Sequence, residues 1–299
     1  MAIKHVVALL ILAAIWGGSF IFMRVAAPEF GIYVLVAIRT LLATCVLLPI
    51  LIIMGGVRQI YRYWVPIALV GMANTAVPFV LFNYSSLHLE AGVNAILNAT
   101  APMFGALFAW LWLGDKLTKS AIAGLAVGFV GVAIISQQKL GEGDISFLPI
   151  VTALLATMGY GLAASMMKKW LQGVKPLVVA TGSQALATVM LAPFALATLP
   201  DTMPSLNAWF NAIALAVAGT GIAYILYFKL IADIGPAKAI TVAYLVPLFG
   251  IIWGIIFLRE HLSLQTIIGG LMILFGVALT TGVVNAIQKK PLRRRVKGA

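Results

Sequence analysis

The chain has 299 residues, of which 63% are hydrophobic and only 9% charged, with a mean hydropathy of +1.08. A soluble domain carries about 25% charged residues, so these figures exclude an ordinary water-soluble fold and make the bilayer the natural solvent. A net charge of +12 would suit nucleic acid if the basic residues were clustered on a folded surface, but here they gather at the ends of apolar runs and in a short C-terminal tail.

Apolar runs long enough to cross about 30 Å of hydrocarbon, roughly 20 residues each, are predicted ten times. They lie near residues 5–25, 31–54, 64–86, 91–113, 118–137, 146–168, 176–198, 207–229, 236–258 and 263–286. A backbone in lipid must satisfy its own hydrogen bonds, so these are read as helices. The runs are separated by short turn-forming or charged segments, and no room is left for a globular domain. The one cysteine, Cys45, cannot form an intrachain disulfide, and His5, His88 and His261 are too scattered to hold a metal.

One stretch occurs twice. Ala101 to Thr118 aligns without gaps on Val246 to Ser263, matching Pro102 with Pro247, Phe104 with Phe249, Gly105 with Gly250 and Asp115 with Glu260. The register continues through Gly124 and Gly269 and through Gly131 and Gly276. Residues 41–49 align on 185–193, and 13–18 on 155–160. The predicted organisation is a first repeat over 1–137, a linker over 138–145, a second repeat over 146–286 and a basic tail over 287–299. The first run also resembles a signal peptide, with Lys4 and His5 before the apolar core and Val25-Ala26-Ala27 after it. Its core exceeds the usual length of about 7–15 residues, and cleavage would spoil the repeat. It is read as a retained helix.

Charge fixes the expected orientation. With alternating spans, nearly all lysines and arginines fall on the side of the N-terminus, leaving Arg24, Lys139 and Arg259 on the other side and Arg39 within the second span. The positive-inside rule then places both termini in the cytoplasm. The tail, with Lys289, Lys290 and Arg293 to Arg295, is expected to anchor topology and to meet anionic lipid. Five spans per half is an odd number, so the halves should be inverted, the arrangement of many secondary transporters with a midplane site.

These residues resemble the drug/metabolite transporter superfamily, and specifically its ten-helix members built from two EamA repeats. The resemblance rests on Trp16-Gly17-Gly18-Ser19 and on the two P-x-F-G…[DE]-x-L-[ST]…G repeats, and it covers the chain to about residue 286. It implies an inner-membrane carrier of small molecules. Within the superfamily the likeness runs toward bacterial exporters of aromatic amino acids.

Polar residues inside spans are costly and usually face a cavity or another helix. Asn94 and Asn98 share a face of the fourth span, and Asn74 lies mid-span near Pro78, where proline frees a carbonyl. Each is read either as a cavity residue or as an interhelical hydrogen-bonding group. Trp16 and Ser19 are three apart in the first span. Thr220, Tyr224 and Tyr227 recur along one face of the eighth, and Tyr160 and Tyr244 stand in the sixth and ninth. Such rings stack on flat substrates or simply pack. Arg39 is expected either to snorkel to the surface or to hold a substrate carboxylate.

No acid lies in a span interior, and no catalytic constellation or cofactor motif is present. The reading is therefore a carrier working by facilitated diffusion. Proton-coupled efflux and phosphorylated-metabolite exchange are the transport alternatives. An intramembrane lipid-modifying enzyme is the alternative from another class.

Overall fold

The computed structural model describes residues 2–141 and 147–282, and among them every regular element is helical. The first half contributes α1 (Ile3–Phe30), α2 (Ile32–Ile53), α3 (Trp64–His88), α4 (Ala91–Leu113) and α5 (Lys119–Gly141). The second contributes α6 (Leu148–Trp170), α7 (Pro176–Ala197), α8 (Leu206–Ile234), α9 (Val242–Leu258) and α10 (Leu264–Thr280). Eight of these are long and apolar enough to span a membrane, while α9 and α10 have 17 residues each. At about 1.5 Å per residue, 17 residues reach roughly 25 Å, near the hydrocarbon thickness.

Helix ends shift by a few residues from the sequence reading, and two of the shifts alter a segment. The ninth span breaks after the short turn of helix Pro236–Ala239 and restarts at Val242, so α9 begins six residues later than expected. The fifth helix runs to Gly141, through the first part of the segment read as a linker. The rest of that linker, the end of the tenth predicted span and the basic tail lie outside the described residues.

The closest helix pairs are α5 with α10, α2 with α7, α1 with α9, α4 with α6, α3 with α6 and α1 with α8. Exchanging each helix for its counterpart in the other half returns the same set of pairs. The glycines show the same relation at atomic level. A Cβ on Gly124 would lie 2.4 Å from the Gly276 carbonyl oxygen, and one on Gly131 would lie 2.5 Å from that of Gly269. These are two copies of one contact, and they let α5 and α10 touch along their backbones, as small residues do in lipid. Likewise, Gly17 of α1 abuts Gly250 of α9, and Gly161 of α6 abuts Gly105 of α4. The structural counterpart of Gly17 is therefore Gly161, whereas the alignment of 13–18 on 155–160 had paired it with Gly159.

Polar ties join helix ends that strict up-and-down alternation puts on a common side. Glu29 at the end of α1 accepts hydrogen bonds from the Ser205 N–H and hydroxyl before α8, at 2.6 and 2.8 Å. Arg24 of α1 donates to the Ser86 carbonyl of α3 at 2.9 Å. At the opposite ends, His5 lies 3.7 Å from Asp233, and Lys168 lies 2.8 Å from Asp115.

Candidate functional site

Both α3 and α8 contain a π-helical turn near the middle, at Met72–Ala76 and Val217–Ile222. Such turns widen the helix, leave carbonyls without their usual partners and often mark functional sites. They fall at matching positions of the repeat, with Thr75 corresponding to Thr220. Proline does not explain both, because Pro78 follows the first turn but no proline lies near the second. In α8 the Thr220 hydroxyl donates to the Leu215 carbonyl at 3.1 Å, so the side chain satisfies an acceptor exposed by the wider turn.

Arg39 of α2 meets this turn. Its Nε donates to Thr220 Oγ1 at 3.0 Å, and its Nη1 lies 3.8 Å from Met23 Sδ. The guanidinium carbon sits 3.6 Å from the centroid of Phe79, a cation–π contact from α3. The residue is only 7% exposed, so it does not snorkel. Tyr160 of α6 and Tyr224 of α8 are its electrostatic neighbours. The Tyr224 hydroxyl in turn faces the side chains of Asn74 from α3 and Gln184 from α7.

Arg39, Asn74, Tyr160 and Tyr224 are thus brought into one cluster drawn from both halves. Gln184, Phe79 and Thr220 complete it. Gln184 is wholly buried, and although its amide faces Tyr224, neither amide atom closes a hydrogen bond of good geometry. The Thr75 hydroxyl is also buried without a partner. Sequence reasoning missed Gln184, although it is the only amide in α7 and could have been flagged on that ground.

The other candidates lie elsewhere. Trp16 and Tyr227 pack against each other with centroids 5.2 Å apart, and Tyr227 also meets Phe228, on which Tyr224 stacks at 5.7 Å and 7°. An aromatic face therefore runs along α8 away from the polar cluster, toward α1. The Ser19 hydroxyl donates back to the Ile15 carbonyl at 3.3 Å and packs against Gly219 in the π-helical turn of α8. Asn94 is fully buried, accepting from the Ser85 hydroxyl at 2.6 Å and donating to the Ser86 hydroxyl at 3.3 Å, so it ties the α3–α4 turn together. Asn98 is half-buried at the end of the first part of α4, before a break at residues 99 and 100. The Tyr244 hydroxyl bonds to the Thr281 hydroxyl and thus links α9 to the end of α10.

The described acids keep away from the cluster. Glu29, Glu90, Asp115, Asp201, Asp233 and Glu260 all stand at helix ends or in turns. Two surface grooves of about 530 and 620 Å³ also lie apart from it. One is bounded by Trp110, Lys116 and Ile122, the other by Val34, Ile38, Leu199 and Trp209. Both linings are predominantly apolar, which suits contact with lipid chains better than recognition of a polar solute.

Comparison with known proteins agrees with this architecture. The EamA-like transporter family matches the chain twice, over residues 3–137 and 147–282. A probable terminal-alkyne amino-acid exporter of Streptantibioticus cattleyicolor is 27% identical over 294 residues, covering 98% of this chain and 96% of that one. The uncharacterized inner membrane transporter YedA of Escherichia coli K12 is 26% identical over 279 residues, covering 92% and 89%. An uncharacterized transporter of Archaeoglobus fulgidus is 22% identical over 278 residues, covering 92% and 97%. A solved crystal structure shares the fold at a TM-score of 0.65 and 16% identity, covering 96% of this chain and 99% of that one. The two family matches, with the helical hydropathy and paired repeats, make this a multi-pass membrane protein that belongs to the EamA-like transporter family.

Proposed function

We propose that the protein is an alternating-access carrier of the bacterial inner membrane that exports small amphipathic metabolites, with aromatic and other hydrophobic amino acids as the favoured class. Its halves are inverted repeats and both termini are cytoplasmic. The single observation that carries this reading is the interior cluster of buried Arg39, Gln184 and Thr220 with half-buried Asn74, Tyr160 and Tyr224, drawn from both halves at the two π-helical turns. Broken helical geometry at membrane depth is tolerated where it lines a site. Tyrosine rings offer flat apolar surface with hydroxyls for orientation, and amides supply donors and acceptors. The resemblance toward bacterial exporters of aromatic amino acids, together with the probable terminal-alkyne amino-acid exporter of Streptantibioticus cattleyicolor among the relatives, supports amino acids as the class.

Transport runs by facilitated diffusion. Among the described residues no Asp, Glu or His lies in the interior of a span, so no side chain there titrates near neutral pH to couple proton entry to efflux. Efflux and counterflow of labelled amino acids from proteoliposomes test both parts. Downhill efflux and counterflow at equal pH, with no uphill accumulation when a pH step is imposed, are expected. Accumulation several-fold above equilibrium that collapses on adding a protonophore would contradict the uniport mechanism. Absence of counterflow for every amino acid tried would contradict the substrate class.

A further inference from the structure

Arg39 presents five N–H donors and a permanent positive charge. The structure gives it one hydroxyl acceptor (Thr220), one sulfur (Met23) and the face of Phe79, but no carboxylate. A thioether is a weak acceptor, so most of the guanidinium edge has no strong partner. Burying a charge without a counter-ion is unfavourable by several kcal/mol in real proteins. None of the described acids relieves this cost, because Glu29, Asp115, Asp233 and Glu260 are engaged at helix ends, Glu90 stands at the N-cap of α4 and Asp201 is exposed in the turn before α8.

The surroundings hold the guanidinium ready for a ligand. Phe79 fixes its plane by stacking, and Thr220 fixes its Nε edge. Gln184 is wholly buried and, although its amide faces the Tyr224 hydroxyl, closes no hydrogen bond of good geometry, an independent sign of a polar site with bonding capacity to spare. Asn74 and Gln184 face the Tyr224 hydroxyl, and Tyr224 is an electrostatic neighbour of Arg39, so a second polar patch lies near the cation. One guanidinium balances one negative charge. A phosphate dianion would need further cations, and Arg39 is the cation that acts on both Tyr160 and Tyr224.

We propose that Arg39 is the receptor for the substrate's carboxylate, so that the carrier selects carboxylates with an apolar body and rejects the corresponding amines. This rests on the carrier reading and narrows its substrate class. The planar fork of Arg39 pairs with both carboxylate oxygens, and Gln184 and Asn74 supply the donors and acceptors for the rest of the head group.

Wild-type protein in proteoliposomes tests this without any substitution. Counterflow of labelled phenylalanine should be competed by unlabelled phenylalanine and by phenylacetate, and about tenfold or more weakly by phenylethylamine and phenylalanine amide. Arg39→Gln should lower phenylalanine counterflow about tenfold or more and erase the preference. Arg39→Lys should recover only part of it, because an ammonium cannot form the bidentate pair. Equal competition by acid and amine in the wild type, or an undiminished preference in Arg39→Gln, would overturn the proposal.

If no amino acid is carried, the transport reading fails separately, and thermal unfolding of the purified protein still decides the matter. Phenylacetate should then raise the midpoint of the wild type but not of Arg39→Gln, and sodium chloride at equal concentration should not reproduce the rise. A rise with chloride alone would mean that Arg39 holds a structural anion, and the same rise in both proteins would mean that the carboxylate binds elsewhere. Either result overturns the proposal.

Discussion

Asp115 and Glu260 follow the same turn in the two halves. Each comes directly after a residue in the left-handed region, Gly114 at φ 74° and Arg259 at φ 54°. Each also donates its backbone N–H to a carbonyl six residues back, to Ala109 and Gly254, at 3.1 Å in both cases. The side chains then part company. Glu260 accepts from the Ala91 and Gly92 N–H groups at 2.7 and 3.1 Å, so α9 is tied to the first turn of α4. Asp115 instead pairs with Lys168 at 2.8 Å, with side chains 52% and 57% exposed.

A carboxylate on orphan N–H groups at a helix start satisfies donors that otherwise lack partners and complements the helix dipole, worth about 1–2 kcal/mol. An exposed ion pair is worth about 0–1 kcal/mol. The repeat therefore sets the backbone at both ends of the molecule and each acid reaches the opposite half, but only Glu260 does so through backbone N–H groups at a helix start rather than through an exposed ion pair.

The largest effect that bears on this comparison is all-or-none. In a Cys45-free background, cysteines at 201 and 260 should react with a membrane-impermeant reagent in intact cells, while those at 116 and 168 should not. Labelling of 168 but not 201 would reverse the orientation assigned to the two ends.

Next come the contacts that are alike in both halves. Gly124→Ala and Gly269→Ala place a Cβ at 2.4 Å and 2.7 Å from a backbone oxygen of the facing helix. Both should destabilise by similar amounts, about 1–3 kcal/mol each, in thermal unfolding. A harmless change at one of them would show that the two-fold relation is only approximate there.

The acids should then diverge. Glu260→Ala is expected to cost about 1–2 kcal/mol, and Asp115→Asn at most about 1 kcal/mol. Equal losses would remove the distinction drawn between the ends. Salt should weaken the Asp115 contribution more, since exposed pairs are screened.

Much of the fold was legible because lipid makes apolar runs unmistakable and because the repeated Pro-x-Phe-Gly stretch needs no gaps. Helix order followed directly, and the glycines matched between the repeats prove to be those of the α5–α10 contact. The two-residue slip that paired Gly17 with Gly159 arose where sliding one apolar helix along another leaves the hydropathy pattern unchanged. Only the close approach of Gly161 to Gly105 settles that register. The π-helical turns were invisible, since MANTA and VAGTGI share little beyond small residues and a threonine.

The candidate site was half legible for a related reason. A polar residue in a span announces that it needs a partner, but not which one. Asn94 and Asn74 looked alike in sequence. One finds Ser85 and Ser86 in its own hairpin, and the other faces Tyr224 across the interface between halves.

The central claim is that the cluster at the two π-helical turns is where substrate binds. It is tested most directly by counterflow of labelled phenylalanine in proteoliposomes of Tyr224→Ala beside the wild type. Loss of one stacking or hydrogen-bonding contact, about 1 kcal/mol, predicts a several-fold weaker apparent affinity, with thermal unfolding little changed. Wild-type affinity and rate in well-folded Tyr224→Ala protein would place the substrate elsewhere.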